Sequence, residues 1–124
     1  MIGIIVRTQF EAIHRYPDAP EPVNYLKEYH RHMFHVEAEI ETFHDDRELE
    51  FIMVKHSIDK YTSNSQNVGC QSCEQIAKRI SAFLKSSYPI KKKLFIEDSE
   101  DVYDRKVNVR VFEDLENGAF IKEF

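Results

Sequence analysis

Apolar and polar positions alternate most regularly across residues 30–43. His30, His32, Phe34, Val36, Ala38 and Ile40 share one parity, while His35, Glu37, Glu39 and Glu41 share the other. A period of two predicts a strand with one set turned to the core and the other to water. Residues 2–12 are rich in β-branched side chains and predict an earlier strand. Between them, residues 16–22 carry three prolines, each removing a backbone donor, and predict a loop. Residues 44–47 predict a turn.

The period then changes. Leu49, Glu50 and Phe51 suit a strand end, but Phe51, Val54, Ile58 and Tyr61 recur at helical spacing. Residues 48–61 are therefore expected to close a strand and open a helix, with a polar loop over 62–69. A second helix is announced by Ser72 as N-cap and by the stripe Ile76, Ala77, Ile80, Phe83 and Leu84. Ser86, Ser87 and Pro89 end it. Strands are expected at 93–97 and 105–112, the latter on the alternation of Val107, Val109 and Val111, with an acidic connection over 98–104. Asn117-Gly118 is a turn dipeptide that folds residues 119–124 back as a short strand. The resulting order, β-β-α-α-β-β, predicts an antiparallel α+β domain with its helices on one sheet face. No repeat, low-complexity tract or linker divides the chain, so residues 1–124 are read as one domain.

Composition narrows the class without deciding the function. The 124 residues are 42% apolar, 12% aromatic and 31% charged, with 3 Gly and 4 Pro, which excludes disordered and fibrous compositions. No apolar run reaches the length of about 20 residues that a membrane helix needs. The opening Met-Ile-Gly-Ile-Ile-Val-Arg reads as a strand and not as a signal peptide. A net charge of −5 argues against nonspecific nucleic-acid binding. Two cysteines, Cys70 and Cys73, are too few for a disulfide framework, so a cytoplasmic protein is expected. Their C-x-x-C spacing lacks both a βαβ context and a second pair, and it is read as chemically silent.

The histidines carry more. His30 and His32 lie two apart on a strand, so both imidazoles leave the same face, a spacing that suits two ligands of one metal. His14, just beyond the first strand, would come alongside if the two strands pair antiparallel. Three protein ligands with a fourth position open is the arrangement of zinc sites that do chemistry. His35, His44 and His56 fall on the opposite parity, in a turn and in a helix, and are read as bystanders.

At these positions the sequence resembles the 6-pyruvoyl- and 6-carboxy-tetrahydropterin synthase family. The resemblance rests on Phe10-Glu-Ala-Ile-His14-Arg, His30-Arg-His32-Met-Phe-His-Val36, Glu50-Phe-Ile-Met-Val-Lys55, Ser72-Cys-Glu-Gln-Ile-Ala77 and Leu94-Phe-Ile-Glu97, spread in order over most of the chain. It implies a tunnelling fold assembled into a homo-oligomer, a trimer or a hexamer built from trimers. It implies zinc on His14, His30 and His32, a pterin held by the Glu97 carboxylate, and lyase chemistry on a dihydroneopterin triphosphate-type substrate. Two departures bear on that chemistry. The family's cysteine before the His-x-His is missing from residues 24–29, where Glu28 is the tentative acid/base substitute. The family's Asp-His pair is missing from residues 62–69. The alternative expectation is therefore a rewired zinc- and pterin-binding relative that does not catalyse the usual reaction.

Overall fold

The computed structural model describes residues 1–64, 66–93 and 100–124. Strands β1 (Gly3–His14) and β2 (His30–Glu41) pair antiparallel along their whole lengths, from Gly3 opposite Glu41 to His14 opposite His30. Helices α1 (Phe51–Ser63) and α2 (Cys73–Ser87) follow. Strands β3 (Ile90–Lys93) and β4 (Glu100–Tyr103) then form a separate two-stranded ribbon. Strand β5 (Val107–Glu113) returns to pair with β2, and β6 (Gly118–Ile121) pairs with β5. The main sheet runs β1-β2-β5-β6, antiparallel throughout. The architecture is α+β, and among the described residues no helix is long and apolar enough to cross a membrane.

Register explains why one face is apolar. Even positions of β1 and β2 line up with odd positions of β5 and β6, giving cross-strand rows such as Val6, Ala38, Val109 and Ile121. Phe34, Val36, Ala38, Ile40, Val107, Val109 and Val111 are buried to 2% exposure or less. Onto this face α1 brings Val54 and Ile58, and α2 brings Ile76, Ala77, Ile80 and Leu84. Phe83 stacks on Tyr61 with ring centroids 4.2 Å apart, which fastens the two helices together. Ser72 caps α2 in a reciprocal box: its hydroxyl accepts from Gln75 N–H, and the Gln75 side chain accepts from Ser72 N–H. Ser72→Ala should cost about 1 kcal/mol of stability, measurable by urea denaturation.

Several expectations need correction. Residues 48–50 form no strand, because each has a local task. Glu48 pairs with a buried arginine, Leu49 packs on the core, and Glu50 caps α1 by accepting from Met53 N–H. Phe51, placed in the helical stripe, is 53% exposed, since it stands at the first turn before the helix meets the sheet. The strand expected at 93–97 begins earlier, at Ile90, and belongs to the ribbon; residues 94–97 lie outside the described residues. The hairpin before β6 turns at Asp114 and Leu115, both with positive φ (53° and 60°), and Glu116 N–H donates to Glu113 O at 2.9 Å. Gly118 of the expected turn dipeptide is instead the first residue of β6.

The buried arginine is Arg105, 1% exposed, just ahead of β5. Its guanidinium donates to both Glu48 carboxylate oxygens at 2.7 and 2.8 Å, to Tyr88 O at 2.6 Å and to Glu41 O at 2.8 Å. One side chain thus ties the end of β2, the approach to α1 and the exit of α2.

Candidate metal centre

Pairing of β1 with β2 assembles the site. His14 ends β1 opposite His30, the first residue of β2, and His32 lies opposite Ala12. All three occupy even positions, so their rings leave the inward face beyond the apolar rows. His14 is buried, and His30 and His32 are half-buried. One nitrogen from each ring lies within 4.8 Å of the others. The rings meet edge to face, with centroids 4.5 Å apart for His14 and His30, 5.2 Å for His14 and His32, and 4.9 Å for His30 and His32. Phe34 forms the apolar floor, 5.3 Å from His14 and 5.8 Å from His32.

The outer nitrogens explain the orientation. His14 Nδ1 lies 2.9 Å from Gln71 O, His30 Nδ1 lies 2.9 Å from Glu28 O, and His32 Nδ1 lies 2.7 Å from Asp114 Oδ2. Carbonyl and carboxylate oxygens only accept, so each neutral ring donates from Nδ1 and keeps its lone pair on Nε2. Metal-binding imidazoles are held in this way, the far nitrogen donating to a carboxylate or carbonyl. His14 Nε2 and His32 Nε2 are buried and have no hydrogen-bond partner. Apart from the Glu113 carboxylate, 3.4 Å from each, these two nitrogens have no polar partner among the described residues, and their lone pairs are aimed at common ground where a cation would satisfy both. Burial pushes the His14 pKa below its usual value, against the pull of the Gln71 carbonyl and the Glu113 charge, which favours the neutral ligand form. The three histidines could hold a metal ion, and among the described residues no other such group of His, Cys, Asp or Glu occurs.

A carboxylate stands beside them. Glu113, the last residue of β5, pairs in register with Phe34. Its Oε1 is 3.4 Å from His14 Nε2 and its Oε2 is 3.4 Å from His32 Nε2. Cys73, buried as the first residue of α2, donates its thiol to Glu113 Oε1 at 3.6 Å. Burial, with the charge of Glu113 second, pushes the Cys73 thiol up to about 12, which favours the protonated form. Cys70 and Cys73 are both free thiols, and Cys70 is exposed. Of the C-x-x-C, then, one cysteine borders the site.

The histidines expected to converge do so, and the Glu28 carboxylate is not part of their group. Glu28 is exposed; its contribution is the backbone carbonyl under His30, and its carboxylate lies outside the three-nitrogen group. Glu97 lies outside the described residues. His35 is on the outer sheet face, and His44 and His56 are exposed elsewhere. Sequence reasoning missed Glu113 and Asp114. The signal for the first was present, because the alternation of Val107, Val109 and Val111 carried one step further puts residue 113 on the inward face. Comparison with known protein families and with curated proteins finds no match to this chain.

Proposed function

We propose that this chain is a zinc protein with a tunnelling fold, a divergent relative of the 6-pyruvoyl- and 6-carboxy-tetrahydropterin synthases acting on a dihydroneopterin triphosphate-type substrate. The observation that carries the reading is the pair of buried, unpartnered Nε2 atoms of His14 and His32, with His30 completing a three-nitrogen group of metal-binding spacing. His14, His30 and His32 would hold the metal. Zinc supplies Lewis-acid polarisation of a substrate oxygen, which acidifies the neighbouring C–H bond. Glu113, whose carboxylate stands 3.4 Å from two of the three nitrogens, is a carboxylate placed to meet the substrate beside the metal, where the Glu28 carboxylate is not; Glu97 keeps the pterin-anchoring role that the resemblance implies. A carboxylate there can accept paired N–H donors from an aminopyrimidine edge or take up a proton. The main sheet ends in strands β1 and β6, and such edges are usually covered; a homo-oligomer, trimer or hexamer, in the cytoplasm follows from the same reading.

The rewired, non-catalytic relative is favoured by one specific observation: the thiol that borders the site, Cys73, is buried and donates to Glu113 Oε1 at 3.6 Å, so it does not stand open to substrate as a base. With the family cysteine and Asp-His pair also missing, turnover of the usual substrate is expected to be slower than in an ordinary synthase by about 10²–10⁴-fold, the typical contribution of a positioned acid or base. The test is metal content and product formation together. Purified protein should carry about one zinc per chain, as a three-histidine site implies, and should bind pterin more weakly after Glu113→Gln. Metal-free protein from a zinc-supplemented preparation would refute the metal reading. Pterin affinity unaltered by Glu113→Gln would refute the role of that carboxylate.

A further inference from the structure

We infer that Asp114 is a positioning residue that makes His32 a ligand, by fixing which ring nitrogen carries the proton. The inference rests on the metal reading above and adds a determinant of metal affinity outside the three histidines.

The geometry is specific. Asp114 spends both carboxylate oxygens at once: Oδ2 lies 2.7 Å from His32 Nδ1, and Oδ1 accepts from Met33 N–H at 2.9 Å. Its own N–H donates to Met33 O at 2.8 Å, so the residue is clamped to β2 from backbone and side chain alike. The backbone there is in the left-handed region, φ 53°, and Leu115 follows at φ 60°. Aspartate tolerates that region, but leucine does so rarely, and glycine or asparagine would satisfy the turn with less strain. Leucine at the second position is the departure from turn preference; aspartate at the first satisfies that preference and in addition makes the contacts to His32 and Met33. Rarely populated backbone persists where the surroundings hold it for a purpose. The other two ligands are oriented by backbone carbonyls, Gln71 O and Glu28 O, which side-chain replacement leaves in place. His32 alone depends on a side chain for its orientation.

That difference supplies a clean variant. In Asp114→Asn the carbamoyl oxygen must keep facing Met33 N–H, because the amide nitrogen cannot accept. The NH₂ group is then turned to His32 Nδ1 as a donor, and a neutral ring can answer only by carrying its proton on Nε2. Asparagine also suits the left-handed backbone, so the hairpin is retained while the metal-facing lone pair is withdrawn.

Two measurements test this. In metal-free wild-type protein, at a pH where the ring is neutral, nitrogen-detected imidazole NMR should place the His32 proton on Nδ1; in Asp114→Asn it should move to Nε2. Zinc affinity, measured by competition with a chromophoric chelator, should fall about 10–100-fold in Asp114→Asn, with a melting temperature of the metal-free protein close to wild type. A His32 proton on Nε2 in the wild type overturns the inference without any variant, and so does an affinity within twofold of wild type in Asp114→Asn. Failure of the wild type to bind zinc would instead defeat the metal reading, while the tautomer measurement would still decide the part played by Asp114.

Discussion

Glu48→Ala is expected to lower the unfolding free energy by about 3–5 kcal/mol, the cost of leaving a buried charge without its partner. Arg105 is almost fully buried, and Glu48 is its one ion-pair partner among the described residues. The carbonyls of Tyr88 and Glu41 accept from the guanidinium but carry no net charge. Glu48 Oε1 also accepts from Phe43 N–H at 2.7 Å, so its removal deprives a second donor. The pair is weak evidence of net stabilisation in itself, since desolvating both charges is costly. Its loss on one side is what hurts, and Glu48→Leu combined with Arg105→Met should therefore be less damaging than Glu48→Ala alone. The hydrogen bonds from Arg105 hold the Glu48 carboxyl below its usual range. The contribution is accordingly complete above the unfolded-state value and lost as pH falls through the lower, folded one. Urea unfolding at neutral pH gives the comparison, and a loss under 1 kcal/mol in Glu48→Ala would show that the carbonyls suffice.

How far the sequence could be read depended on whether one signal dominated a stretch. Residues 34–41 carry an uninterrupted period of two, and β2 contains them all. The α2 stripe and its Ser72 cap were equally plain, because capping chemistry and apolar spacing agreed. Residues 48–50 were ambiguous because their tasks involve partners remote in sequence: Arg105 lies 57 residues from Glu48. The three histidines were legible because strand parity alone puts them on one face. Their orientation was not, since it depends on Gln71 O and Glu28 O, backbone atoms in loops that leave no mark on residue identity. Asp114 was hidden for a related reason. The dipeptide Asn117-Gly118 predicts a turn, and the turn is centred instead on Asp114 and Leu115, where leucine in place of glycine hides the signal.

Zinc should stabilise the wild-type fold substantially, and His30→Ala combined with His32→Ala should abolish the effect. A ligand that binds only the folded state adds RT ln(1 + [L]/Kd), about 4 kcal/mol at a free concentration one thousand times Kd. For a chain of this length, roughly 3–6 °C per kcal/mol is expected, which places the rise in melting temperature near 12–24 °C. The double variant leaves His14 as the one nitrogen of the group, too few for a site that needs three. Truncation also removes two half-buried rings whose Nε2 atoms had no bond to lose in the case of His32. The same truncation breaks the His30 bond to Glu28 O, the His32 bond to Asp114 and the ring contacts with His14 and Phe34, so the effect of zinc is read in each protein as the shift from its own metal-free curve. Differential scanning fluorimetry with buffered zinc provides both curves. A wild-type curve unmoved by zinc would remove the thermodynamic basis for the site. An equal rise in both proteins would place the responsible zinc elsewhere on the chain, for which the exposed Cys70 is a ready candidate to exclude with a Cys70→Ser control.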